Sequence, residues 1–148
     1  MSSASHPELV LAFVCQEAGQ DSQGRLDARG IYQDLYAPGF PARQEHMVLV
    51  AVLEWDRADH GRHQFRMDLL DPDGQEALTL SGHTDVDARE GEHPPARTQL
   101  VMPLENVVFK RPGAYRLRVR VKGRDLRGPA LHLLRTEPEP VPGTPGSA

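Results

Sequence analysis

Apolar and polar residues alternate with a period of two along most of this chain, the pattern of strands that bury one face. No stretch keeps a 3.6-residue apolar stripe for about eleven positions, so helix is expected at most as a short turn. The clearest strand is 115–122, where Tyr115, Leu117, Val119 and Val121 alternate with Arg116, Arg118, Arg120 and Lys122. One face of that strand should be core and the other wet. Phe65, Met67 and Leu69 alternate with Arg66 and Asp68 in the same way. Asp71-Pro72-Asp73-Gly74 then reads as a turn toward a strand over 77–84. Segments 9–15 and 47–53 are apolar on both faces and are expected in the middle of a sheet whose second face is also covered. Segments 26–35, 98–104 and 131–135 bring the count to about eight strands. Short strands with regular turn punctuation, such as Gln20-Asp21-Ser22-Gln23-Gly24, point to an all-β sandwich or barrel.

Between these strands the chain is polar and rich in breakers. Asp85 to Arg97, with Pro94-Pro95, reads as a long surface loop. Residues 136–148 hold four prolines, two glycines and no aromatic residue, too little apolar area to order themselves. The domain is therefore expected over 8–135, with a disordered N-terminus over 1–7 and a disordered Pro-rich tail over 136–148.

Composition narrows the class further. A chain of 148 residues with 39% apolar content fits one core, burying roughly 68–70% of the surface that the unfolded chain exposes. The net charge of -4 gives no global reason to expect nucleic acid or an anionic membrane. Fifteen of the 17 basic residues are Arg, a bias of high-GC bacteria. The single cysteine, Cys15, rules out an intrachain disulfide. The apolar run from Leu9 to Cys15 is too short for a transmembrane helix and lacks a basic flank. A cytoplasmic, reducing location is the expectation.

Pro112-Gly113-Ala114-Tyr115-Arg116-Leu117 resembles the start of the sixth strand of immunoglobulin-like domains, where Gly precedes Tyr by two and a core residue follows by two. Leu117 stands where antibody domains carry a disulfide-bonded Cys. Taken with Leu11-Ala12-Phe13-Val14-Cys15, Gly24-Arg25-Leu26, Gly30-Ile31-Tyr32, Phe40-Pro41-Ala42 and Asp71-Pro72-Asp73-Gly74, the segment is similar to an uncharacterised bacterial family of small β-sandwich proteins over about residues 8–135. That resemblance implies a two-sheet antiparallel sandwich of immunoglobulin type. It carries no catalytic position that can be transferred.

Candidate chemistry is sparse. Asp56, Asp59, His60 and His63 are ligand types for a transition metal, but their spacing matches no strong signature and the stretch reads as a solvated hairpin loop. Asp68, Asp71 and Asp73 lack the ladder of oxygens that calcium loops need, and read as a turn. Neither Gly-x-Ser-x-Gly nor a phosphate-cradling glycine loop is present. Ser81 and Cys15 read as structural. No catalytic, cofactor or metal residue is therefore expected, and no enzyme.

The strongest electrostatic feature runs from Arg111 to Arg127, seven cations against Asp125 alone, a local +6 that leaves -10 elsewhere. Arg116, Arg118, Arg120 and Lys122 project from one strand face and read first as a solvated or cross-paired face, then as a surface for an acidic protein. Nucleic acid is not expected, because no aromatics interleave with these cations. Tyr36, Phe40 and Trp55 form a second candidate surface: Phe40 and Trp55 read as caps on one end of the core, with a binding surface as the alternative. The expected function is a non-catalytic protein-interaction module, acting on an unknown partner or by self-association. The alternative is a small-ligand or carbohydrate-binding sandwich, and a hydrolytic enzyme comes third. Circular dichroism should show a β signal with little helix; a helical fraction above about a quarter would contradict the period-two reading.

Overall fold

Aspartates close two of the turns. The Asp21 carboxylate accepts the backbone N–H groups of Gln23 and Arg25, each at 2.9 Å. Asp71 does the same for Asp73 and Gln75, also at 2.9 Å. These side chains substitute for backbone partners at the points where the chain reverses. In the computed structural model, residues 6–136 are described. They form β1 (Glu8–Gln20), β2 (Leu26–Tyr32), β3 (Asp34–Ala37), β4 (Ala42–Glu54), β5 (Gly61–Leu70), β6 (Glu76–Val86), β7 (Arg97–Phe109), β8 (Gly113–Val121) and β9 (Arg124–Arg135), with no helix among the described residues. None therefore is a helix long and apolar enough to cross a membrane.

The strands make two sheets, in the orders β2-β1-β4-β7 and β3-β9-β8-β5-β6. The five-stranded sheet curls as a half-barrel. One cluster of buried side chains joins them, with Met47, Leu49, Ala51 and Leu53 of β4 meeting Phe65, Met67 and Leu69 of β5 and Tyr115, Leu117 and Val119 of β8. The all-β expectation holds. The count is nine strands rather than eight, because the segment 26–35 breaks at Gln33 into two strands that belong to different sheets. The antiparallel expectation also needs correction: β3 runs parallel to β9, Asp34 opposite His132 through Ala37 opposite Arg135. β9 starts seven residues before the expected Leu131, directly after the two-residue turn Lys122-Gly123.

At the chain ends, Thr136 N donates to Ala37 O at 2.8 Å. His6 and Pro7, expected to be loose, are packed: Pro7 is buried and His6 Nε2 lies 3.3 Å from Glu54 Oε1. Residues 1–5 and 137–148 of the expected loose termini lie outside the described residues.

β4 is buried on both faces from Met47 to Leu53, as its sequence requires. The face away from the main core holds Cys15, Val48 and Val50, covered by Phe13, Ala18, Leu26, Ala28 and Val101. Much of that cover is an arm formed by the distal halves of β1 and β2. β1 pairs with β4 only as far as Cys15 opposite Val48. At the next position Gln16 and Gly30 drop out of the β1–β2 ladder, and Gly30 adopts a φ of 69° with no room for a side chain, since a Cβ there would lie 2.8 Å from Gln16 Cβ. Beyond that point Gln20 Nε2 donates to Gln99 Oε1 of β7 at 2.7 Å. Because β4 lies between β1 and β7 in the sheet, the arm must pass over β4 to make this bond.

The Asp71–Gly74 turn is packed against the start of β8. A Cβ on Gly113, whose φ is 134°, would meet the Pro72 ring at 2.5 Å. Gly113→Ala should therefore lose about 1–3 kcal/mol of stability in a urea titration. An unchanged midpoint would show that this contact relaxes freely.

Candidate functional site

Sheet register decides what each cation of the basic strand meets. Arg118 stands opposite Asp68 of β5, and Asp68 opposite Thr79 of β6. Asp68 is fully buried although it lies on the face of the sheet away from the core. Its Oδ2 accepts Arg118 Nε at 3.1 Å and Nη2 at 2.7 Å, and its Oδ1 accepts Thr79 Oγ1 at 2.7 Å and Arg66 Nε at 3.0 Å. Burial alone would push this carboxyl up, but the hydrogen bonds from Arg118, Thr79 and Arg66, with the Arg66 charge, outweigh it and leave the group below the usual aspartate value.

Arg118 is buried as well and also reaches Glu76 Oε2 at 3.2 Å. The face expected to be wet is therefore dry at its centre. Arg116 donates to the Gly128 carbonyl at 3.1 Å, and Lys122 Nζ donates to Asp59 Oδ1 at 2.5 Å. Arg120 Nε lies 3.0 Å from Asp125 Oδ1 as an ion pair, without hydrogen-bond alignment. Three of the four cations in the row face an acid, and Arg116 faces a backbone carbonyl.

The aromatic candidates separate. Trp55 is fully buried, donates Nε1–H to Thr98 Oγ1 at 2.8 Å, and stacks on His63 with ring centroids 4.8 Å apart. Phe40 is half-buried against the main core. The two do not cap one end, because the thirteen residues of β4 lie between them and span about 40 Å. Tyr36 is 64% exposed.

The other sequence candidates are held locally. His60 Nδ1 lies 3.2 Å from Ala58 O and His63 Nε2 3.1 Å from His60 O, so both imidazoles are engaged by their own loop. Asp73 pairs with Arg111. The Cys15 thiol donates to Glu17 O at 3.3 Å, and burial pushes its pKa up against that bond. A raised pKa blunts a thiol nucleophile.

Two arrangements have no signature in the sequence. The first is a cleft of about 430 Å³ between β1–β2 and β9. Phe13, Val14, Tyr115, Leu117 and Leu131 line it, with Ile31 contributed by β2 and polar groups by Gln33, Asp34 and His132. It opens because β3 pairs with β9 only from His132 onward, leaving Pro129 to Leu131 without a strand on that side. Pro129 suits a free edge, having no N–H to leave unpaired. The second is a group of His6, Glu8 and Glu54, brought together by the pairing of β1 with β4.

Residues 10–133 match a family described as "Family of unknown function (DUF6941)". The chain belongs to this family. As a DUF6941 member it agrees with the expected resemblance to an uncharacterised family. No curated protein matches it. Among solved structures it is similar to the Pseudomonas fluorescens alkylpurine DNA glycosylase AlkC bound to DNA containing an abasic site analog, with 14% identity and a TM-score of 0.39. That similarity covers 70% of this chain, which spans only 28% of the glycosylase chain.

Asp68 and Arg118 provide a direct test of the paired face. Asp68→Asn should cost up to about 3–5 kcal/mol at neutral pH by leaving the buried Arg118 with only the partly exposed Glu76 as counter-ion, and Asp68→Leu with Arg118→Met should recover most of that loss. The Asp68 carboxyl is lowered in the fold, so its contribution is complete above the unfolded value of about 3.9 and is lost as pH falls through the native value. Urea midpoints measured from pH 7 to pH 2 should fall less steeply in Asp68→Asn than in the parent. Parallel curves would contradict the assignment.

Proposed function

We propose that this domain is a non-catalytic binding module that recognises a protein partner along β3 and the cleft beside it. The observation that carries this reading is where the exposed apolar surface lies. Five large apolar residues are exposed among those described, and three of them, Ile31, Tyr36 and Leu134, sit on or beside β3. Tyr36 and Leu134 are register partners and so stand side by side on one face. Contiguous exposed apolar surface is uncommon on proteins that bind nothing. β3 is also an edge strand, with one row of backbone groups open to another chain. Second copies of this chain and foreign partners both fit that description.

The small-ligand reading has its own support. The cleft volume of about 430 Å³ falls within the range of small-molecule sites, and its lining is apolar with a few polar groups. A carbohydrate version is weaker, since Trp55 is buried and offers no stacking face. A hydrolytic enzyme remains third, as the imidazoles of His60 and His63 are engaged by backbone carbonyls.

We read the fold more finely as an immunoglobulin-like sandwich. Tyr115 Oη donates to Arg111 O at 2.8 Å, a bond from the start of a strand back to the backbone just upstream, as in the tyrosine corner of such domains. The single unpaired cysteine accords with a cytoplasmic protein, and the Arg-rich composition with a bacterial source.

Peptides selected by display against the parent, then tested on Ile31→Asp/Tyr36→Ser/Leu134→Ser, measure whether this surface binds. All three residues are exposed, so the variant should unfold near the parent midpoint while binding selected peptides at least about tenfold more weakly. Equal binding by a folded variant would move the functional surface away from β3.

A further inference from the structure

We propose that His6, Glu8 and Glu54 form a site for one divalent transition-metal ion, zinc foremost, with a fourth coordination position left to water or an external donor. The imidazole nitrogen and the two carboxylates offer ligand atoms that all lie within 4.8 Å of one another. His6 Nε2 and Glu54 Oε1 are 3.3 Å apart. Two ligands on a tetrahedral zinc with bonds of about 2.0–2.1 Å are separated by about 3.3 Å, so this pair already has the required spacing. Glu8 needs only a small side-chain movement to complete the set.

The strand pairing supplies a second, independent observation. Glu8 stands directly opposite Glu54 in the β1–β4 register. Like charges in that position repel, and a shared cation removes the conflict. Arg97 does not fill that role for both: its Nε and Nη2 lie 3.0 and 2.9 Å from Glu54 Oε2, on the oxygen turned away from His6. It leaves Oε1 facing the imidazole and fixes the plane of the carboxylate, as outer partners of metal ligands do. His6 is held as well, its carbonyl accepting Arg124 Nη1 at 2.8 Å, and among the described residues the one side-chain contact of its ring is with Glu54. Imidazole with two carboxylates suits zinc and its neighbours better than a hard cation alone. The site lies at the far end of β4 from the Tyr36 loop, so it stands or falls apart from the β3 reading.

The experiment is a Zn²⁺ titration by calorimetry of the tag-free full chain, repeated with Co²⁺ as an absorbance probe. The proposal expects one equivalent bound, with affinity reduced at least about tenfold in Glu8→Gln and in His6→Ala, and unchanged in the exposed His60→Ala. Glu8 is exposed and Glu8→Gln keeps its volume, so circular dichroism should find that variant folded and its loss of affinity should report on coordination alone. Absence of binding, or binding that survives Glu8→Gln and His6→Ala or is lost in His60→Ala, would overturn it.

Discussion

Between Met47 and Leu53 every side chain of β4 is shut away from water, so the four-stranded sheet must be covered on both faces. Full burial of one Val, Leu or Met side chain is worth about 1.5–3 kcal/mol, and the six of them in this run outweigh any single polar contact in the domain. The main core is one consequence, since the five-stranded sheet closes over Met47, Leu49, Ala51 and Leu53. The arm is the other. Its bond from Gln20 to Gln99 contributes only about 0.5–1.5 kcal/mol, so the arm is held chiefly by the apolar cover that Ala18, Leu26 and Ala28 give to Val48, Val50 and Cys15. Gly30 lies beside the point where β1 stops pairing with β4, beyond which β1 and β2 continue together to provide that cover.

The five-stranded sheet answers a different demand on its outer face. A carboxylate at 0% exposure is tolerable there because Arg66, Thr79 and Arg118 supply every bond that water would have made. Of the basic row, Arg118 is buried, and Arg118, Arg120 and Lys122 each face one of the protein's own acids. Three of the five large apolar residues exposed among those described, Ile31, Tyr36 and Leu134, lie around the point where the chain passes from one sheet to the other.

Much of this was legible in the residues. The double-sided apolar run of β4, the alternation of β5 and β8 and the Asp71 turn depend on local pattern, and pattern survives without knowledge of partners. β9 was hidden because Arg124, Asp125, Gly128 and Pro129 look like a loop, and before His132 the strand has a neighbour on one side only, where such residues are tolerated. The change of sheet at Gln33 was hidden because Gln33-Asp34 is only a two-residue polar break between Tyr32 and Leu35, with no Gly or Pro to mark it. Alternation announces which way a side chain points, not what stands opposite it. The row of Arg118 was read as solvated or cross-paired, with no means of naming Asp68 as the partner, and Phe40 and Trp55 were grouped for want of the full length of β4. The cleft and the His6 cluster belong wholly to pairings between distant strands, which no local pattern encodes.

The parallel pairing of β3 with β9 also sets an order of events during synthesis. β3 leaves the ribosome early, yet its hydrogen-bonding partner is made about a hundred residues later, and a long loop must close before the pair can form. β1, β2 and β4 can associate while translation continues, since all three lie in the first 54 residues. The strand between them cannot take its place beside β9 at that stage. A nascent chain therefore carries Tyr36 beside an unpaired backbone on both sides until β9, the last of the nine strands among the described residues, has emerged.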